Sequence, residues 1–172
     1  MVYPYLCKLA FILTVTATLL APVRAQALPK IGQPLPAFSV TTPSGQQVTN
    51  QNYSNRVLLL VFSTDYCSAC KKAIPGIGTL ADRYGKDGFH VLGLISGFGW
   101  ENDELKEYLN TYRVTYPMAL FEQRQAADQF GMISVPYSLL VDKKGMVAGV
   151  FYGYSDATMK QLETQVKKLL AE

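Results

Sequence analysis

The sequence predicts an α/β fold with a mixed central sheet flanked by helices. Two strand-length apolar runs, Val57–Phe62 and Phe89–Ile95, are each followed by a stretch whose apolar residues recur at helical spacing. The run after Pro136, ending at Asp142, turns through Lys143-Lys144-Gly145 into another apolar run and then a closing helix. Strand–helix–strand–helix followed by a hairpin and a helix puts parallel and antiparallel pairs in one sheet. The chain has 172 residues and shows no internal repeat, low-complexity tract or linker, so it reads as one domain plus a targeting segment.

Residues 1–27 read as a secretory signal peptide. Lys8 supplies the positive n-region, Leu9–Leu20 the apolar core, and Ala25-Gln26-Ala27 an A-x-A cleavage pattern. Cleavage after Ala27 leaves a domain of residues 28–172; cleavage after Ala25 is the alternative. The apolar core falls short of the roughly 20 residues that span a bilayer, so an N-terminal membrane anchor is the lesser reading. Cys7 precedes the apolar core and is not placed to carry a lipid after it. Losing Lys8 and Arg24 takes the 16 basic residues to 14 against 13 acids, a net charge of +1. No basic stripe remains, which argues against nucleic acid as a partner. Two cysteines remain, and an exported compartment lets a disulfide between them persist.

Within the domain, Leu28–Ala37 is a proline-containing extended lead-in. Phe38–Val40 and Gln46–Thr49 alternate apolar and polar around Pro43-Ser44-Gly45, a hairpin signature. Asn50–Arg56 is a polar loop, and Val57–Phe62 is the first central strand. The helix after Cys67 presents Ile74, Ile77, Leu80 and Ala81 on one face over Lys71–Tyr84, with a kink or restart expected at Pro75. Phe89–Ile95 is the next buried strand, with His90 at its start as a surface or edge residue. Ser96–Gly99 is a loop at that strand's C-terminal end, where open α/β sheets place their sites. Glu101–Tyr112 is an amphipathic helix with Leu105, Tyr108, Leu109 and Tyr112 on one face. Met118–Phe121 is a short strand, and Gln123–Phe130 a helix stopped by Gly131. Pro136 lacks an N–H and fits the start of the following strand. Met146–Tyr152 pairs with that strand, and Ser155 caps a final helix to Leu170.

The chemistry lies in Cys67-Ser68-Ala69-Cys70, where a buried strand turns into a helix. Unpaired N–H groups and the helix dipole favour negative charge there, and the thiolate is the nucleophile of a thiol. Two intervening residues set the second sulfur one turn on, so Cys67 reads as the exposed attacking thiol and Cys70 as the more buried resolving thiol. A zinc site would need two further ligands, and the domain offers only His90. An inert disulfide would close a tiny loop and restrain the unfolded chain little. Thiol–disulfide exchange makes better use of such a pair.

With these features in order, residues 31–170 resemble the thioredoxin superfamily, most closely its exported ResA/TlpA-like branch. Gly32-Gln-Pro-Leu-Pro-Ala-Phe38 with Gly45-Gln-Gln-Val48 is similar to that branch's lead-in hairpin. Phe62 through Cys67-Ser-Ala-Cys70 to Pro75 is similar to its active-site strand and helix. Val135-Pro136 through Asp142 to Gly145 is similar to its cis-proline loop and hairpin, and 101–121 to its central insertion. The resemblance implies a thioredoxin-like fold and a cis Val135–Pro136 bond beside the cysteines. Val135, Pro136 and Tyr66 would meet the substrate, with the Val135 backbone free to pair with a partner's extended chain. The sequence also departs from the family. Tyr66 stands where tryptophan is usual, and Asp65 opposes a thiolate at Cys67. The two places where relatives carry a buried acid hold Val61 and Ala73.

The implied activity is reduction of disulfides in specific extracytoplasmic proteins, apocytochrome c among the conceivable targets, with electrons from a membrane donor and neither metal nor cofactor. One alternative is a peroxiredoxin-type peroxide reductase: Thr64 stands three before Cys67 as in that family, but Leu60 replaces its proline. Another is a non-catalytic thioredoxin-fold binding module, or a copper chaperone. Tyr66, Phe98, Trp100 and Tyr137 suggest an apolar partner groove, with core or scattered surface aromatics as the plain alternative.

Overall fold

The computed structural model describes residues 29–172. The signal-peptide expectation lies outside them. Among the described residues no helix is long and apolar enough to cross a membrane.

The eight residues of β3 (Val57–Thr64) are all buried, because the strand is covered on both faces. It pairs in parallel with β4 (Phe89–Ser96), and β4 in parallel with β5 (Met118–Leu120). On its other side β3 pairs antiparallel with β6 (Tyr137–Val141), which pairs antiparallel with β7 (Val147–Tyr152). The order β5-β4-β3-β6-β7 is a five-stranded mixed sheet of the predicted class. The strand runs on past Phe62 because Ser63 and Thr64 still pair with Ile95 and Ser96.

Side chains along β3 alternate between two apolar layers. Val57, Leu59 and Val61 pack with Ala73, Ile74 and Ile77 of α1 (Ser68–Tyr84), with Leu105 of α2 (Asn102–Thr111), and with Leu162 and Val166 of α4 (Asp156–Ala171). Leu58, Leu60 and Phe62 pack with Leu35 and Phe38 of the lead-in, and with Ala126 and Phe130 of α3 (Gln123–Phe130). Each such Val, Leu, Ile or Phe side chain contributes about 1.5–3 kcal/mol on burial. The small hairpin of β1 (Ser39–Thr41) and β2 (Gln47–Thr49) adds Val40 and Val48 to this second layer. The lead-in reaches the opposite edge of the sheet. Gly32 N donates to Val147 O, Val147 N to Gln33 O, and Pro34 bridges Met146.

Helix ends follow their signals. Ser155 Oγ accepts from Thr158 N at 3.1 Å, and Gly131, at φ 68°, ends α3 in the left-handed conformation that glycine tolerates. The expected restart at Pro75 does not occur. Helix α1 continues through it, and it begins at Ser68, directly after Cys67 as the sequence predicts. Pro75 is exposed, so the carbonyl deprived of its N–H partner lies on the water side.

Candidate active site

The site is assembled at the C-terminal ends of β3 and β4. Asp65 N donates to Ser96 O at 3.1 Å, which ties the turn after β3 to its neighbour. Cys67 N then donates to Thr64 O at 3.2 Å, closing the turn and delivering Cys67 as the N-cap of α1. Its sulfur accepts the Cys70 N–H at 3.1 Å. The first turn of α1 contains no acid. A thiolate at Cys67 would therefore be held by a backbone donor and by the positive end of the helix dipole.

The two sulfurs are joined, with an S–S distance of 2.06 Å. In this oxidised form Cys67 is only 7% exposed and Cys70 4%. Cys67 is thus not exposed in this form, while Cys70 is the more buried of the two. What separates them is surroundings. Cys70 lies one turn before Ala73 and Ile74, over the apolar layer, while Cys67 sits at the helix mouth beside Tyr66, which is 71% exposed. Val61 and Ala73 are both buried in that layer.

Pairing of Phe62 with Tyr137 brings the Val135–Pro136 segment beside the end of β3. The peptide bond between these residues is cis. Pro136 is buried and its carbonyl accepts from Gly153 N at 2.8 Å. Val135 is half-buried, and its N–H and C=O have no hydrogen-bond partner among the described residues.

The four aromatics expected to form one groove divide. Tyr66 and Phe98 are exposed and flank an open cleft of about 800 Å³ that also meets Asp65, Glu122 and Arg124. Tyr137 is instead a core residue, 2% exposed, whose hydroxyl donates to Phe130 O at 2.8 Å. Burial pushes its phenol up to about 12, with Tyr152 adding to the shift. Trp100 is half-buried, its ring 5.5 Å from that of Tyr108 and laid against Gly97. Tyr108 is likewise pushed up to about 12 by burial, then by Tyr112 and Asp65. Lys71 Nζ stands 5.2 Å over the Tyr112 ring, so its charge is held at the rim on that side.

His90 belongs to the other end of the sheet. It pairs with Leu58, six residues from the Thr64–Ser96 pair, or roughly 20 Å at the rise of a strand. Burial, then nearby Arg56, lowers its pKa. Ser63 escapes the sequence reading as a possible contributor, whereas Thr64 is the threonine already noted three before Cys67. Ser63 and Thr64 are buried, and neither hydroxyl has a hydrogen-bond partner among the described residues. The visible signal of Ser63 is a hydroxyl where an otherwise apolar run meets the motif.

Comparison with known proteins agrees with this geometry. The model of the AhpC/TSA family matches residues 31–150. The thiol-disulfide oxidoreductase ResA of Bacillus thuringiensis subsp. konkukian is 28% identical over 141 residues, covering 81% of this chain and 79% of that protein. The thioredoxin-like protein YneN of Bacillus subtilis is 24% identical over 135 residues, 78% of either chain. Among solved structures, a DsbE candidate from Chlorobium tepidum superposes with a TM-score of 0.76 at 22% identity, over 83% of this chain and 99% of that one. StoA from Bacillus subtilis gives 0.62 at 21% identity, over 80% and 98%. At these identities the superpositions speak for the fold. With a thioredoxin-like sheet, a Cys67–Cys70 disulfide at a helix mouth and a family match across most of its length, the chain belongs to the AhpC/TSA family, as a distant homologue of the ResA thiol-disulfide oxidoreductases.

Proposed function

We propose that this protein is exported by a cleaved leader of residues 1–27 and that its 28–172 domain reduces disulfides of particular extracytoplasmic proteins. Cys67 acts first. Its thiolate attacks one sulfur of the substrate disulfide, and the other substrate sulfur leaves as a thiolate that takes up a proton. Cys70, as thiolate, then attacks Cys67 Sγ. The Cys67–Cys70 bond forms, the mixed disulfide breaks, and the second substrate thiol is released. The substrate gains two electrons and two protons, and the enzyme is left oxidised. A membrane-bound dithiol donor resets it, and no cofactor takes part. The single observation that carries this reading is the placement of Cys67 Sγ as the acceptor cap of α1, bonded to Cys70. The unpaired backbone of Val135 beside Pro136 supports a substrate strand laid next to the disulfide, with Tyr66 on its other flank. Apocytochrome c is one target compatible with such a site.

The test is the reduction potential of the purified protein, equilibrated in thiol/disulfide buffers, together with Cys67→Ser. A potential near thioredoxin's, about −270 mV, makes it a reductant; one near DsbA's, about −120 mV, makes it an oxidant. Cys67→Ser is expected to abolish disulfide reduction, and full activity in that variant would sink the assignment. Peroxide reduction is the second reading, supported by the family match and by Thr64, buried three residues before Cys67. Sulfenic acid at Cys67 after stoichiometric peroxide would favour it.

A further inference from the structure

Resting on the exchange reaction proposed above, we propose that the Ser63 hydroxyl is a catalytic group for Cys70: it hydrogen-bonds that sulfur in the reduced enzyme and donates to the Cys70 thiolate as it attacks. Ser63 is only 7% exposed, and its Oγ has no hydrogen-bond partner among the described residues while the sulfurs are joined.

Its place in the fold directs it to Cys70. Val61 packs in one layer with Ala73 and Ile74 of α1. Ser63 is two residues on from Val61, on the same face of β3 and one step nearer the strand's C-terminal end. Cys70 is three residues before Ala73, on the same side of α1 and one turn nearer the helix N-terminus. Because α1 links two parallel strands, it runs back against β3, and the two steps converge. Thr64, the other unpartnered hydroxyl, follows Phe62 onto the opposite face and points away from Cys70.

Oxidation state decides whether Ser63 finds a partner. A disulfide sulfur has no proton to give and accepts weakly. A thiol has a weak S–H donor, and a thiolate accepts strongly. A buried hydroxyl without a partner is unfavourable. Breaking the Cys67–Cys70 bond therefore supplies what Ser63 lacks, and the hydroxyl favours the reduced form. In the resolving step the Cys70 proton goes to water or to the departing substrate thiolate, not to serine. Ser63 donates to the sulfur left negative, whose burial otherwise opposes that charge. With no acid at Val61 or Ala73, Ser63 offers the compensation from the strand beneath.

Ser63→Ala in the purified protein tests this. The equilibrium constant with glutathione is expected to move about tenfold toward the disulfide, roughly 30 mV more reducing for a two-electron couple. The Cys70 thiol, titrated by alkylation rate in a Cys67→Ala background, should rise by about one pH unit. The oxidised variant should unfold no more easily than the oxidised parent, since it loses a group with no partner there. A potential and a Cys70 titration both within twofold of the parent would overturn the proposal. So would a destabilised or unfolded oxidised Ser63→Ala, because the hydroxyl would then have a partner in that state. If the parent itself does not cycle with glutathione, the exchange reaction has failed, a result distinct from an unshifted variant.

Discussion

Tyr137→Phe removes one oxygen from the middle of the fold. That oxygen donates to Phe130 O, the terminal carbonyl of α3, at 2.8 Å, and the phenol is 2% exposed. The substitution leaves a buried carbonyl without this donor, which costs about 1–3 kcal/mol. For a domain of this size each kcal/mol moves the midpoint by about 3–4 °C, so a fall of about 3–12 °C is expected in the oxidised protein. The pH dependence is sharper. An unfolded tyrosine ionises near 10.0, whereas burial pushes Tyr137 up to about 12. Between these values the folded state holds a proton that the unfolded state has lost, so this part of the stability is complete below pH 10 and lost as pH rises toward 12. The phenylalanine variant has no such proton. The gap between parent and variant should thus be widest from pH 7 to 9 and close above pH 10. Urea unfolding at stepped pH measures it, with an unchanged m-value expected. A variant within about 0.3 kcal/mol of the parent at pH 8, or a gap that widens in alkali, would refute the reasoning.

Gly97→Ala places a Cβ 2.2 Å from Trp100 Cδ2, so the indole must leave its seat against the loop. A loss of about 1–3 kcal/mol is expected. The emission of Trp100, the single tryptophan, should shift with it; unchanged emission and stability would show the contact to be idle. The His90 imidazole, whose pKa is lowered from 6.5, contributes stability that is present above pH 6.5 and lost as pH falls through its folded value. An NMR titration midpoint at or above 6.5 would contradict this, and His90→Gln should flatten the loss of stability on the acid side of 6.5.

The elements that could be read from the sequence are those where local pattern and burial agree. Val57–Phe62 has the length and composition of a doubly covered strand, and Ser155 has the side chain that a helix start needs. The boundary at Phe62 was misjudged because Ser63 and Thr64 carry hydroxyls, yet their backbones pair with Ile95 and Ser96. That pairing comes from a strand far along the chain and leaves no local trace. Pro75 marked a break that did not occur, because an exposed position lets water take up the freed carbonyl. At the site, spacing and the strand-to-helix junction singled out Cys67 and Cys70, which the structure joins. Separating Tyr66 and Phe98 from Tyr137 needed tertiary information, since an aromatic looks the same in sequence whether its hydroxyl meets water or Phe130 O.

The lead-in's grip on β7 gives the molecule a polarity. Gly32, Gln33 and Leu35 bond to Val147 and Gly145, beside the turn that joins β6 to β7. That turn follows Val141, the partner of Leu58, so it lies at the end of β3 remote from Thr64 and the sulfurs. A tether joined ahead of residue 29, whether to a bilayer, a carrier or a purification handle, would hang from this far pole and leave the dithiol facing outward. Attachment there orients the reagent without obstructing it, and immobilised protein should turn over small disulfides as fast as free protein does.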